Sequence, residues 1–158
     1  MKENKNRING IKKTMEVKIE YIKADEFDTG KRNLFNYGHC FGHALENSSH
    51  YKVPHGIAVT IGMIYANIVS LNRALISQEI FEKLNKEFFL PNIYMKLKKE
   101  YFDKKILLES LKNDKKRVGK DLTIIIAVND DIEAIKADDF TIYEFENSYN
   151  QLIKILDL

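Results

Sequence analysis

Five polar residues, Arg32, Asn36, His39, His43 and Glu46, follow one another at spacings of 4, 3, 4 and 3. On one helix such positions form a single line. Lines at that spacing are ordinarily apolar and face a core. Here every member can bind a ligand, while Leu34, Phe35, Phe41 and Leu45 point elsewhere. Gly38 and Gly42, also four apart, make a second line without side chains. That line admits another backbone or a ligand at close range, at a cost of about 1 kcal/mol each relative to Ala. The bland alternative is a solvated helix face. Such faces are usually rich in Lys and Glu, and two helix-weakening glycines would then serve no purpose.

Two histidines at i and i+4, His39 and His43, can both reach one metal ion. Cys40, not Glu, follows His39, which disfavours a zincin protease. A further histidine stands in Val53-Pro54-His55-Gly56, at the mouth of an apolar segment. Two antiparallel helices joined by the 48–54 loop would return His55 to the side of His39 and His43, so that three imidazoles converge. His50 reads as an exposed loop histidine. Lys18 flanks an apolar stripe and either snorkels or turns toward a site. Asp114-Lys115-Lys116-Arg117 sets three cations in a turn, which suits a phosphate or another anion as well as plain solvent.

The elements that must position these groups are mostly helical. Ile8, Ile11, Met15, Ile19 and Ile22 predict an amphipathic helix over 8–23, with its stripe in the core. Residues 25–31 form a polar break hinged at Gly30. A second helix spans 32–48, and a third, apolar nearly all round, spans 56–73 and is therefore buried. Helices over 77–89, 91–102 and 104–113 follow, with Pro91 in a first turn. The β-branched run 122–128 is a strand that 132–137 pairs as a hairpin, and 149–156 is a closing helix. The expectation is a mainly α, single-domain chain of about six to seven helices with one small β-hairpin near the C-terminus.

Composition narrows the function classes. The chain has 158 residues, 44% hydrophobic and 30% charged, enough for one globular core. Its 25 Lys+Arg against 23 Asp+Glu carry no global nucleic-acid signature. Charge is segmented all the same: residues 83–120 hold twelve Lys/Arg and five Asp/Glu, residues 130–157 two Lys and eight Asp/Glu. Solvated faces and an acidic tail explain this more simply than two partner patches. One Cys excludes an internal disulfide and a Cys-based zinc finger. The first residues carry no apolar signal-peptide core, and the apolar stretch 57–69 reads as too short for a bilayer. A soluble, reducing, cytoplasmic setting without membrane or nucleic-acid partners is the expectation.

Together, the segment Arg32 to Glu46, the flanking Glu16-Val17-Lys18 and Ala24-Asp25-Glu26, His55-Gly56 and Asp114-Lys115-Lys116 resemble the 3-dehydroquinate synthase family, the sugar phosphate cyclases. The resemblance runs from about residue 10 to 140, with the motifs in order. It implies the helical, C-terminal metal- and substrate-binding domain of such an enzyme, with the N-terminal NAD-binding domain absent. It implies His39 and His55 as ligands of zinc or another divalent metal, the family's third ligand being an upstream glutamate. It implies substrate contacts from His43, Lys18, Arg32, Asn36 and Lys115 or Lys116. The chemistry implied is a lyase reaction of the shikimate-pathway type on a phosphorylated sugar: transient oxidation by NAD, loss of phosphate, re-reduction and ring closure. Alone, the chain is expected to be inactive. An NAD-binding domain or subunit and a second copy in a homodimer are the implied partners. Ile57 stands where the family commonly has Glu, and Val53-Pro54-His55-Gly56 is similar to carbasugar-forming relatives and to iron-containing alcohol dehydrogenases. Half of such a dehydrogenase, or a non-catalytic relic domain used for association, are the alternatives. Arg32, Asn36 and the cationic turn weigh against the first.

Overall fold

The computed structural model describes the backbone of residues 2–25, 31–113, 122–130 and 133–158, and their side chains apart from 2–7, 24, 31 and 32. The chain divides into two units, Met1–Phe35 and Asn36–Leu158.

The first unit is dominated by one long helix, α1 (Lys2–Ala24). No proline interrupts it, and most of its residues are good helix formers. A 3-10 stretch, Lys31–Asn36, follows the hinge region predicted at Gly30, which lies outside the described residues. Within the unit, Tyr21 and Phe35 meet edge to face with ring centroids 4.9 Å apart. The apolar stripe of α1 is not in the core, contrary to expectation. Ile8, Ile11, Met15 and Ile19 are 65%, 62%, 59% and 45% exposed. Helical spacing shows that a face is suited to burial; it does not say what covers it.

The second unit is built around α3 (His55–Asn72). Ile57, Ala58, Ile61, Ile64, Tyr65, Ala66, Ile68 and Val69 are all buried on it. By length and composition alone this helix could cross a membrane, being longer than the 57–69 stretch suggests, but two thirds of it is enclosed by its own chain. The remaining elements wrap it. They are α2 (His39–Ser48), α4 (Gln78–Leu84), α5 (Lys104–Lys112), strands β1 (Leu122–Val128) and β2 (Glu133–Phe140), and α6 (Ile142–Ile155). α2, α6 and β1 pack directly on α3, and α5 packs on α2. The strands form an antiparallel hairpin in which Ile126 faces Ile135, with an irregularity between Leu122 and Ile124. The expected class, helices plus one small hairpin, is the one found.

Arg73, just beyond α3, ties the hairpin and α6 to that helix. Its Nε donates to Glu144 at 2.6 Å and its Nη1 to Asp139 at 2.9 Å. These bonds hold the Asp139 carboxyl below its usual range. Burial pushes the Glu144 carboxyl up, but hydrogen bonds from Arg73 and Thr141 outweigh it and leave the group lowered.

Three local expectations need correction. The segment 32–48 is not one helix: Gly38 adopts φ 77°, and α2 starts only after it. The 91–102 helix does not exist. After a 3-10 turn at Leu90–Asn92 the chain runs extended, with Ile93, Met95 and Leu97 half-buried and Tyr94, Lys96 and Lys98 exposed. That alternation has a period of two, which belongs to extended chain. The last helix begins at Ile142, not 149. Thr141 and Glu144 form a capping box there, a signal present in the sequence.

Candidate metal and substrate site

α2 and α3 are held together at their backbones. A Cβ on Gly62 would lie 1.9 Å from the Gly38 carbonyl oxygen, and one on Gly42 would lie 3.0 Å from Cα of Val59. The glycine line therefore serves helix packing: the neighbour that approaches closely is another backbone. The connection is equally specific. Ser49 donates its hydroxyl to the Glu46 carbonyl oxygen and accepts from the Val53 amide, His50 and Tyr51 turn the chain through positive φ, and Pro54 starts α3.

This return places three imidazoles in one cluster. Ring centroids are 5.5 Å apart for His39–His43, 5.5 Å for His39–His55 and 5.7 Å for His43–His55. Bonds of about 2.0–2.1 Å to a tetrahedral ion would put the centroids of three ligating imidazoles roughly 5 Å apart. The cluster is therefore close to metal-holding dimensions. His50 is exposed in the turn.

Two of the rings, His39 and His55, are each oriented by an acceptor. The Nδ1–H of His39 donates to the Tyr37 carbonyl oxygen at 3.2 Å. Tyr37 is itself pinned, its hydroxyl donating to Oδ1 of Asn67 inside α3. Burial raises the Tyr37 pKa, keeping the phenol protonated and a donor. The Nδ1–H of His55 donates to Oε1 of Glu46 at 3.2 Å. A carbonyl oxygen can only accept, and so can an ionised carboxylate, so each bond puts the ring proton on Nδ1. A neutral ring held this way keeps its lone pair on Nε2. Burial lowers the His39 pKa, an effect its bond to Tyr37 opposes and its neighbours His43 and His55 reinforce. His39 is thus a neutral potential ligand at pH 7.

Glu46 was marked by the polar line in the sequence, but its contact with His55 was not. Nine residues and a reversal of direction separate the two, so only the folded loop brings them together. A second grouping overlaps the first: His43, Glu46 and His55 each offer a ligand atom within 4.8 Å of the others. Also missed was an open cleft of about 340 Å³ beside His43, lined by Cys40, Asn47, Ser110 and Asn113. Asn47 donates to Ser110 at 2.7 Å and so ties α2 to α5 along it.

The other candidate residues are placed as follows. Asn36 is half-buried at the start of the second unit, and Lys18 is exposed on α1 in the first. The Arg32 side chain, and Asp114, Lys115, Lys116 and Arg117 altogether, lie outside the described residues.

Comparisons with known proteins cover most of the chain. Residues 1–117 match a family model described as 3-dehydroquinate synthase C-terminal. The 3-dehydroquinate synthase of Tropheryma whipplei (strain Twist) is 45% identical over 73 residues, 46% of this chain and 19% of that protein. That of Campylobacter jejuni subsp. jejuni serotype O:23/36 (strain 81-176) is 37% identical over 118 residues, 74% of this chain and 33% of that protein. The chain thus spans a third or less of the length of these two relatives. A solved 2-deoxy-scyllo-inosose synthase, complexed with carbaglucose-6-phosphate, NAD+ and Co2+, superposes with a TM-score of 0.59. It is 23% identical, and the match covers 79% of this chain and 36% of that one. Another structure of 2-deoxy-scyllo-inosose synthase gives a TM-score of 0.55 at 26% identity, covering 71% of this chain and 30% of that one. With glycine-locked helices presenting the histidines of its central motif and a family match over residues 1–117, the chain belongs to the 3-dehydroquinate synthase C-terminal family.

Proposed function

We propose that residues 1–158 are the helical metal- and substrate-binding domain of a sugar phosphate cyclase of the 3-dehydroquinate synthase kind, inactive alone and completed by an NAD-binding domain. The observation that carries this reading is the pair of imidazoles, His39 on α2 and His55 on α3, each with Nδ1 committed to an acceptor and Nε2 left to ligate. In this reading His39 and His55 hold zinc or another divalent metal, and a further ligand comes from outside the described residues. Two protein ligands fall short of the three usual for catalytic zinc, so metal binding by the chain alone is weak. The donor set fits such an ion: two imidazoles, one backed by a carboxylate. A bound divalent ion would polarise a substrate carbonyl or hydroxyl.

The chain's own groups do the rest. His43, exposed beside both rings and on the rim of the cleft, exchanges a proton with substrate oxygen. Asn36, Lys18, Arg32 and Lys115 or Lys116 bind substrate, the cations receiving its phosphate. Lys115 follows two residues after Asn113, which lines the cleft. Dinucleotide binding is not assigned to these residues. Among the described residues the only strands are one antiparallel pair, and no parallel βαβ unit carries a phosphate turn. In this reading hydride transfer belongs to the partner domain. A homodimer and a cytoplasmic, shikimate-type role complete the reading. The comparisons favour it over an alcohol dehydrogenase half or a relic association domain.

The test is phosphate release from a heptulosonate phosphate with NAD and zinc, by the chain alone and after adding the NAD-binding domain of a family member. Release only on complementation, abolished by His39→Ala and kept by His50→Ala, is expected. Release at an enzymatic rate by the chain alone would overturn the assignment.

A further inference from the structure

We infer that Glu46 is a positioning residue for the metal site, acting through His55 and not as a ligand. This rests on the proposed metal role of His55. The two side chains belong to different helices, and their contact spans the reversal between α2 and α3. Glu46 sits on the third turn of α2 with its side chain only 15% exposed, whereas that of His55 is 56% exposed. The carboxylate is the enclosed partner and the imidazole is the exposed one. Glu46 Oε1 accepts from His55 Nδ1 at 3.2 Å, which does two things. It fixes the proton on Nδ1, leaving the Nε2 lone pair for the ion. It also fixes the ring's rotation, so that Nε2 is held in one direction while much of the ring is bathed in solvent.

The arrangement parallels that of His39, with one difference. There the acceptor is a neutral carbonyl, that of Tyr37. At His55 the acceptor carries charge, and a charged acceptor raises the basicity of the opposite nitrogen. The better-enclosed ring thus has the weaker orienter and the exposed ring the stronger one. An exposed ring loses more rotational freedom on binding, so it gains more from being fixed beforehand.

The competing geometry is Glu46 as a ligand together with His43 and His55, whose donor atoms lie within 4.8 Å of one another. That set would draw on Glu46, whose Oε1 already accepts from Nδ1 of His55. It would leave His39, already neutral and oriented, without a role.

Two measurements on the purified chain decide between them. The first needs no metal. At pH 8, two-bond proton–nitrogen NMR should show His55 as the Nδ1–H tautomer in the wild type. It should shift toward the Nε2–H form in Glu46→Ala, and Glu46→Gln, which keeps an acceptor oxygen, should restore the wild-type form. The second is titration with Co2+, read by visible absorption. Glu46→Ala should weaken binding about 10–100-fold, with Glu46→Gln in between, and the spectrum at saturation should be unchanged because the ligand set is unchanged. An Nε2–H tautomer in the wild type, or a saturated Co2+ spectrum altered by Glu46→Ala, would overturn the inference. Failure of the underlying metal reading looks different: His55→Ala would then bind Co2+ as tightly as the wild type, whatever the tautomer of His55.

Discussion

α1 and α3 are the two longest helices of this chain, and both carry apolar residues at helical spacing. Their fates differ. Ile61, Ile64 and Ile68 on α3 are wholly enclosed, whereas Ile8, Ile11 and Met15 on α1 are largely open. α3 is apolar on every side and lies among α2, α6 and β1, so each of its faces meets another element. α1 is apolar along one stripe with lysines on either side, a pattern that needs only one neighbour. Periodicity therefore reports how many faces of a helix seek cover, and not what covers them.

The strongest way to break this contrast is at the backbone contact of α3. Gly62→Ala would drive a methyl group into the Gly38 carbonyl, where no side chain can yield. A loss of about 3 kcal/mol or more, at the upper end for overpacking, is expected in urea unfolding. A stability within 1 kcal/mol of the wild type would show that α2 can slide away. Next is Ile64→Ala, which empties a fully buried site on α3. It should cost about 2–5 kcal/mol by the same measurement. A cost below 1 kcal/mol would mean that α3 is less enclosed than its burial indicates.

A smaller effect concerns pH and the fastening of the hairpin and α6 to α3. Asp139 and Glu144 have lowered pKa values beside Arg73. Folded carboxyls below their unfolded values bind fewer protons than the unfolded chain does. Their stabilisation is full above the unfolded carboxylate pKa, about 4, and is lost as pH falls through the folded values. Between pH 5 and pH 3 the wild type should lose more stability than Arg73→Ala. Parallel curves would show that the cluster contributes nothing. The smallest effect is expected on α1. Ile11→Ala removes an exposed side chain and adds helix propensity, so stability should change by no more than about 0.5 kcal/mol. A loss comparable to that of Ile64→Ala would mean that the stripe of α1 is covered in solution.

The histidine cluster of the candidate site is legible in the sequence because its pattern is chemical. A polar line where an apolar one belongs marked the His39 to Glu46 segment, and Pro54-His55-Gly56 marked the reversal. The fold class was legible from the change of period at Leu122. What escaped notice depended on three dimensions or on a competing rule. The bond from Glu46 to His55 exists only once the loop has closed. The polar spacing runs straight through Gly38 and predicts one helix, yet the helix breaks there to admit α3. Ile93, Met95 and Leu97 followed Pro91 and a helical neighbour, and their two-residue alternation was lost against that background.

The contact between Gly38 and Gly62 also bears on motion. Side chains between two helices act as springs, each with rotamers that let the helices shift by fractions of an ångström. Where main chain touches main chain there are no such springs. The separation of His39 and His55 is then set by covalent geometry and helix pitch, and thermal rearrangement of the surrounding core has little leverage on it. The backbones that carry these two histidines form a jaw whose gap is set by the fold itself.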